Sequence, residues 1–180
     1  MTIEASAITR ELTDYLREHP DELSQLLPLY DALRDHAQRE RCPHDGRCPE
    51  VTAGALLLNE HGHVLILRHG GGWAFGEATP EPGDNSLRQA AYSVLREFGG
   101  LQEAWALPSA ESPVIIDVTP PHRKDTRPRL RVGFRYLFAT HTSAIAPAVM
   151  NSGLARWVPL DKVNSRIAAR LRPHIATVCL

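Results

Sequence analysis

Between Asp84 and Gly100, residues Leu87, Ala90, Ala91, Val94, Leu95 and Phe98 recur at the spacing of one helical face. Asp84, Asn85 or Ser86 can cap the start of this helix, and Gly99-Gly100 can end it. A helix with one apolar face must be buried against something, and the segments around it carry a different period. Val51–Leu58 and Val64–Arg68 are short apolar runs rich in branched residues. Asn59-Glu60-His61-Gly62 lies between them, which predicts a β-hairpin. Trp73-Ala74-Phe75 predicts a short strand, and Val114–Val118, Val132–Thr140 and Arg156-Trp157-Val158 predict three more. Asp161–Arg172 reads as a closing amphipathic helix through Val163, Ile167 and Leu171. Strands interleaved with helices in this order predict an α+β domain with a mixed sheet.

Residues 6–41 read as a helical pair. Ile8, Leu12, Tyr15 and Leu16 share one face, with Ser6 or Thr9 as candidate caps. His19-Pro20 should end the first helix, because the residue before proline avoids the α region. Asp21 offers the next cap, and Leu23, Leu26, Leu27, Tyr30 and Leu33 form the second stripe. Pro28 inside that stripe predicts a break or kink near Leu27. The expected organisation is a helical extension with its loop over residues 1–48, followed by a domain over 49–180.

Charge excludes some partners. Twenty Lys+Arg against 21 Asp+Glu leave a formal net charge of −1, so no global field recruits nucleic acid or an anionic membrane. No apolar run is long enough to span a bilayer, no secretory signal opens the chain, and three cysteines argue against a disulfide framework. A cytoplasmic protein is the expectation. The cations are 18 Arg and 2 Lys, so an isolated Arg means little and only a cluster counts. One cluster exists. His122–Arg135 holds Arg123, Lys124, Arg127, Arg129, Arg131 and Arg135 against Asp125. Strand alternation puts Arg129, Arg131, Gly133 and Arg135 on one face, and Arg forks suit phosphate or carboxylate. The bland alternative is an exposed charged hairpin. No aromatic platform is interleaved with these charges, so nucleic acid is not the expected partner.

Cys42, His44 and Cys48 do not have zinc-knuckle spacing, and a plain loop of reduced cysteines is the simpler reading. Gly70-Gly71-Gly72 lacks the Lys-Ser/Thr ending of a phosphate loop and precedes a strand.

The stretch Trp73–Leu101, reading Trp-Ala-Phe-Gly-Glu-Ala-Thr-Pro-Glu-Pro-Gly-Asp-Asn-Ser-Leu-Arg-Gln-Ala-Ala-Tyr-Ser-Val-Leu-Arg-Glu-Phe-Gly-Gly-Leu, resembles the Nudix box. The hairpin at Val51–Arg68, the Pro-Val-Ile-Ile-Asp-Val strand at 113–118 and Trp157-Val158-Pro159-Leu160 agree with that family, as does the His19-Pro20 prefix. The resemblance implies an α/β/α sandwich with a mixed β-sheet plus the helical extension. It also implies box carboxylates that hold Mg²⁺ or Mn²⁺ against a diphosphate, and a homodimer as one expected state.

Matched position by position, the box arginine is Ser93, the first glutamate is Val94, the next is Glu97, retained, and the last is Phe98. Val94 and Phe98 are four apart and share a helical face, so an apolar pair stands where the family has carboxylates. The family's paired glycines match Glu77 and Ala78. Its His-x-His-x-Asp strand pattern matches Arg129, Arg131 and Gly133, and a downstream acidic pair matches Asn151 and Leu154.

The candidate catalytic residues are therefore Glu97, Glu81 and Asp84, each with a plain alternative: a solvated glutamate, or for Asp84 a helix cap. Glu97 and Glu77 are the candidate metal ligands. Arg129, Arg131 and Arg135 are candidate substrate contacts, with Trp73 able to stack on a ring or simply to pack. Three readings stay open: residual Mg²⁺-dependent diphosphate hydrolysis, other chemistry on a small anionic and nucleotide-like metabolite, or a non-catalytic binder.

Overall fold

The structure, a computed structural model, describes residues 3–39, 49–69, 71–119 and 130–178. Helices α1 (Ala5–Glu18) and α2 (Leu23–Arg39) come first, joined by a 3₁₀ turn at Pro20–Glu22. Strands β1 (Glu50–Asn59), β2 (His63–His69), β3 (Gly72–Ala74) and β4 (Gly76–Ala78) follow, then α3 (Leu87–Gly99). Next are β5 (Trp105–Ala106), β6 (Ile115–Thr119), β7 (Arg131–Thr140), the short α4 (Pro147–Asn151), β8 (Ala155–Pro159) and α5 (Ser165–Val178).

The spine of the sheet is the parallel pair β1 and β7, in register from Glu50↔Arg131 to Asn59↔Thr140. Every other pairing is antiparallel: β1 with β2 and β4, β2 with β3 and β8, and β7 with β5 and β6. The result is the mixed sheet expected from the alternating apolar runs. Val51, Ala53, Ala55 and Leu57 of β1 join Leu87, Ala91 and Leu95 of α3 in one core. Leu56 and Leu58 point the other way and join Ala168, Leu171 and Val178 of α5. The sheet thus lies between α3 and α5, because successive strand side chains alternate faces.

Helix α3 begins where Ser86 accepts a hydrogen bond from the Gln89 amide and ends at Gly100, which takes φ 58°. That left-handed end suits glycine. The N-terminal helices pack on the same core: Ile8, Leu12, Tyr15, Leu26, Leu29 and Leu33 lie in one buried cluster with Phe134 and Tyr136.

Several local expectations differ from the structure. Ser6 and Thr9 lie inside α1 rather than at its cap. α2 runs from Leu23 through Pro28 without a break, so the helix carries a proline in its second turn and gives up one backbone hydrogen bond there. Leu23 and Leu27 are exposed, at 48% and 47%, because the buried stripe runs through Leu26, Leu29 and Leu33. The last helix continues through Pro173 to Val178. β4 and β5 are too short to carry a sequence period.

Candidate functional site

Where β1, β2, β4 and the start of β7 meet, a cavity of about 430 Å³ opens. Its walls include Glu50 and Thr52 from β1, Arg68 and His69 from β2, Phe75, Glu77 from β4, Val94 from α3 and Arg131 from β7. This volume lies within the range of pockets that hold small organic ligands. The wall is bipolar, with two carboxylates and two guanidiniums.

The strand register explains the gathering. Gly54 of β1 pairs with Glu77 on one side and Arg135 on the other. Thr52 pairs with Gly133 in the same way. Glu77, Thr52 and Arg135 therefore share one face of the sheet. The Arg135 guanidinium bonds Glu77 at 3.0 Å and Asp117 at 2.5 Å, and the Thr52 hydroxyl donates to Glu77 at 2.5 Å. A Cβ at Gly133 would stand 3.3 Å from Glu77 Oε1, so the missing side chain gives that carboxylate its seat. Arg135 also reaches toward the Phe75 ring, at 6.0 Å from its centroid.

The anticipated residues divide in their placement. Glu77 and Arg131 line the cavity. Arg131 is more than half exposed, with Glu50 at 3.8 Å. Arg135 is held by two carboxylates, and only 16% of its side chain is exposed. Glu97 stands exposed on α3 and is not among the cavity's lining residues. Glu81 and Asp84 form a loop turn away from the lining, the Glu81 amide donating to Asp84 Oδ2 at 2.7 Å. Asp84 is therefore no helix cap; Ser86 is. Trp73 is exposed, with the Arg156 guanidinium 4.1 Å above its ring, and Phe75 rather than Trp73 faces the cavity. Arg129 and the Cys42, His44, Cys48 trio, like the side chain of Phe98, lie outside the described residues.

Sequence reasoning missed Thr52, Glu50, Arg68 and His69. Their register opposite β4, β7 and β3 is what brings them in, and no short-range motif announces it.

Mg²⁺ or Mn²⁺ demands several oxygen ligands converging on one point. Among the described residues, no three His, Cys, Asp or Glu side chains gather into a group that could hold a metal. Val94 is buried at 3% exposure and contributes only methyl groups to the cavity. Glu77 already answers Thr52 and Arg135. The described residues do not fit a resident metal cluster.

The architecture matches known structures. A C. elegans Ap4A hydrolase aligns with a TM-score of 0.50 at 14% identity, over 72% of this chain and 98% of that one. A Nudix-family hydrolase from Clostridium perfringens aligns with 0.50 at 12% identity, over 72% and 97%. The Shewanella oneidensis NrtR structure with a 27mer DNA gives 0.48 at 18% identity, and the match spans 71% of this chain but only 62% of the NrtR chain. This chain has the Nudix fold. No protein-family model matches its sequence, and no curated protein does. Among the described residues, no helix is long and apolar enough to cross a membrane.

Proposed function

We propose that the cavity between β1, β2, β4 and β7 takes a small anionic, nucleotide-like metabolite, and that the usual metal-dependent diphosphate hydrolysis of the fold is impaired in this chain. The observation that carries this reading is the cavity wall: Arg68, Arg131 and His69 flank a volume of about 430 Å³ with Phe75 beside them, while Val94 fills the box-helix position. Arginine forks bind phosphate oxygens bidentately, and a phenyl ring gives a base a face to pack on. Glu50 and Glu77, in the same lining, can accept from hydroxyl or amino donors of the ligand. The ligand is a small molecule rather than a polymer, because the cavity has the size of one metabolite.

Within this reading, Arg131 and Arg129 are the anion contacts, Arg135 supports Glu77, and Trp73 is a candidate to stack on a ring of the ligand. Glu97, Glu81 and Asp84 are the acids that any residual hydrolysis would draw on. The C. elegans protein of the same fold is by name an Ap4A hydrolase, which makes adenine nucleotides the first compounds to test.

The test is a thermal-shift and calorimetric titration with ADP, ADP-ribose and Ap4A, in EDTA and in Mg²⁺. Binding in EDTA, weakened about tenfold in Arg131→Ala, with no Mg²⁺-dependent phosphate release, is the expected result. Absence of binding by all three would count against the reading. Brisk Mg²⁺-dependent release that disappears in Glu97→Gln would instead establish a working hydrolase.

A further inference from the structure

The Arg135–Glu77 pair is one end of a longer chain of charges. Asp117, on β6, accepts from Arg135 through Oδ2 and from Arg166 of α5 through Oδ1, the latter at 2.7 Å. Arg166 then donates to Glu22 at 2.9 Å and to the Ile116 carbonyl at 3.1 Å. Glu22, in the turn between α1 and α2, also accepts from Arg170 at 2.7 Å and from the Tyr15 hydroxyl at 2.6 Å. Arg170 in turn contacts His19. Signs alternate along the whole run: Glu77, Arg135, Asp117, Arg166, Glu22, Arg170. It begins in the cavity wall and ends in the N-terminal helices.

Such a run transmits position. Asp117 and Glu22 are each shared between two guanidiniums through different oxygens, so moving one member redirects the next. Side-chain exposure falls to 10% at Glu22, where water cannot easily replace a lost partner. Burial alone would raise the Glu22 carboxyl, but hydrogen bonds from Tyr15 and Arg170 and the charge of Arg166 hold it below its ordinary range. The charged form is what the run needs. At the cavity end, Thr52 and the seat over Gly133 hold Glu77 Oε1 while Arg135 holds Oε2, so the direction of Arg135 sets the tilt of the carboxylate. Phe75, which faces the ligand space, lies under the same guanidinium.

We infer that Glu22 acts, through Arg166, Asp117 and Arg135, as a positioning residue for Glu77, so that the N-terminal helices regulate the cavity. The effect on ligand binding rests on the cavity being the ligand site proposed above. The effect on Glu77 itself does not.

Two readouts on the full chain separate these. The Thr52 methyl resonance reports where the Glu77 carboxylate sits, with no ligand present. ADP affinity reports the consequence. Glu22→Gln and Arg166→Lys should both move the Thr52 methyl signal and weaken ADP binding about fivefold. Arg166→Lys keeps the charge but not the fork, so it tests bridging rather than charge alone. Glu22→Asp should restore part of both signals, and Arg17→Ala, in an exposed pair with Asp14, should change neither. If the Thr52 methyl signal stays put in folded Arg166→Lys and Glu22→Gln, the inference is wrong. If wild-type protein ignores ADP and the other two nucleotides while the methyl signal moves, the ligand reading fails and the positioning role stands.

Discussion

The Val94 side chain stands so close to β4 that a Cβ on Gly76 would lie 2.8 Å from Val94 Cγ1. The box helix and the strand beside it touch through a glycine and an isopropyl group, with no space between them. Gly76→Ala should therefore lower stability by about 1–3 kcal/mol through overpacking, measured by urea unfolding. Val94→Glu puts a carboxyl at a site only 3% exposed, and a loss of about 3 kcal/mol at neutral pH is expected. The buried carboxyl's pKa would rise, so this loss should shrink as pH falls and the group takes up a proton. A Val94→Glu variant as stable as wild type at pH 7 would refute the packing argument.

Glu22 meets Tyr15, Arg166 and Arg170 while nearly buried. Glu22→Ala leaves two cations and a hydroxyl without their acceptor, and should cost about 3 kcal/mol. Asp14→Ala breaks only the exposed pair with Arg17 and should stay within about 0.5 kcal/mol of wild type. Equal losses in the two variants would show that burial does not set the difference.

The pH profile follows from two kinds of group. Burial pushes the His19 and His174 pKa values below the ordinary 6.5, and for His19 the Arg170 charge adds to this against the pull of Glu22, Glu18 and Asp21. The unfolded chain then binds those protons first, so stability rises with pH through that window and falls as pH drops below about 6.5. Glu22 has a depressed pKa, so its stabilisation holds above 4.5 and drains away at more acid pH, as the folded carboxylate is protonated. Chemical unfolding at a series of pH values should show two successive declines. Changing both histidines to Gln should flatten the upper one alone. Tyr15, raised to about 12 by burial and by Glu22, stays protonated throughout this range.

Arg131 is more than half exposed and its pairing with Glu50 is long, so it does little for the fold. Arg131→Ala should leave the melting temperature nearly unchanged yet weaken nucleotide binding about tenfold. A variant that melts early and binds normally would move Arg131 from the site to the scaffold.

Much of the architecture can be read in the sequence because it rests on local periods. The α3 face from Leu87 to Leu95, the branched runs of β1 and β2 and the Gly100 cap all act over a few residues. The seat of Glu77 has no such signature. It depends on Gly54, Gly133, Arg135 and Thr52 meeting across three strands that are far apart in the chain. Asp117 and Arg166 look like ordinary surface charges until β6 and α5 are brought side by side. Trp73 is large and near the box, and its ring packs against the Arg156 guanidinium, a pairing that β2 and β8 create and no local pattern announces. Pro28 predicts a break, yet α2 runs through it, forgoing the one hydrogen bond a proline cannot donate.

Arg166 and Glu22 are 144 positions apart and face each other at 2.9 Å. Grafting a foreign leader onto the sheet would therefore leave Arg166 and Arg170 as neighbouring cations with no anion between them. The leading helices and the closing helix are thus a matched pair: replacing the charge of one calls for a complementary replacement in the other.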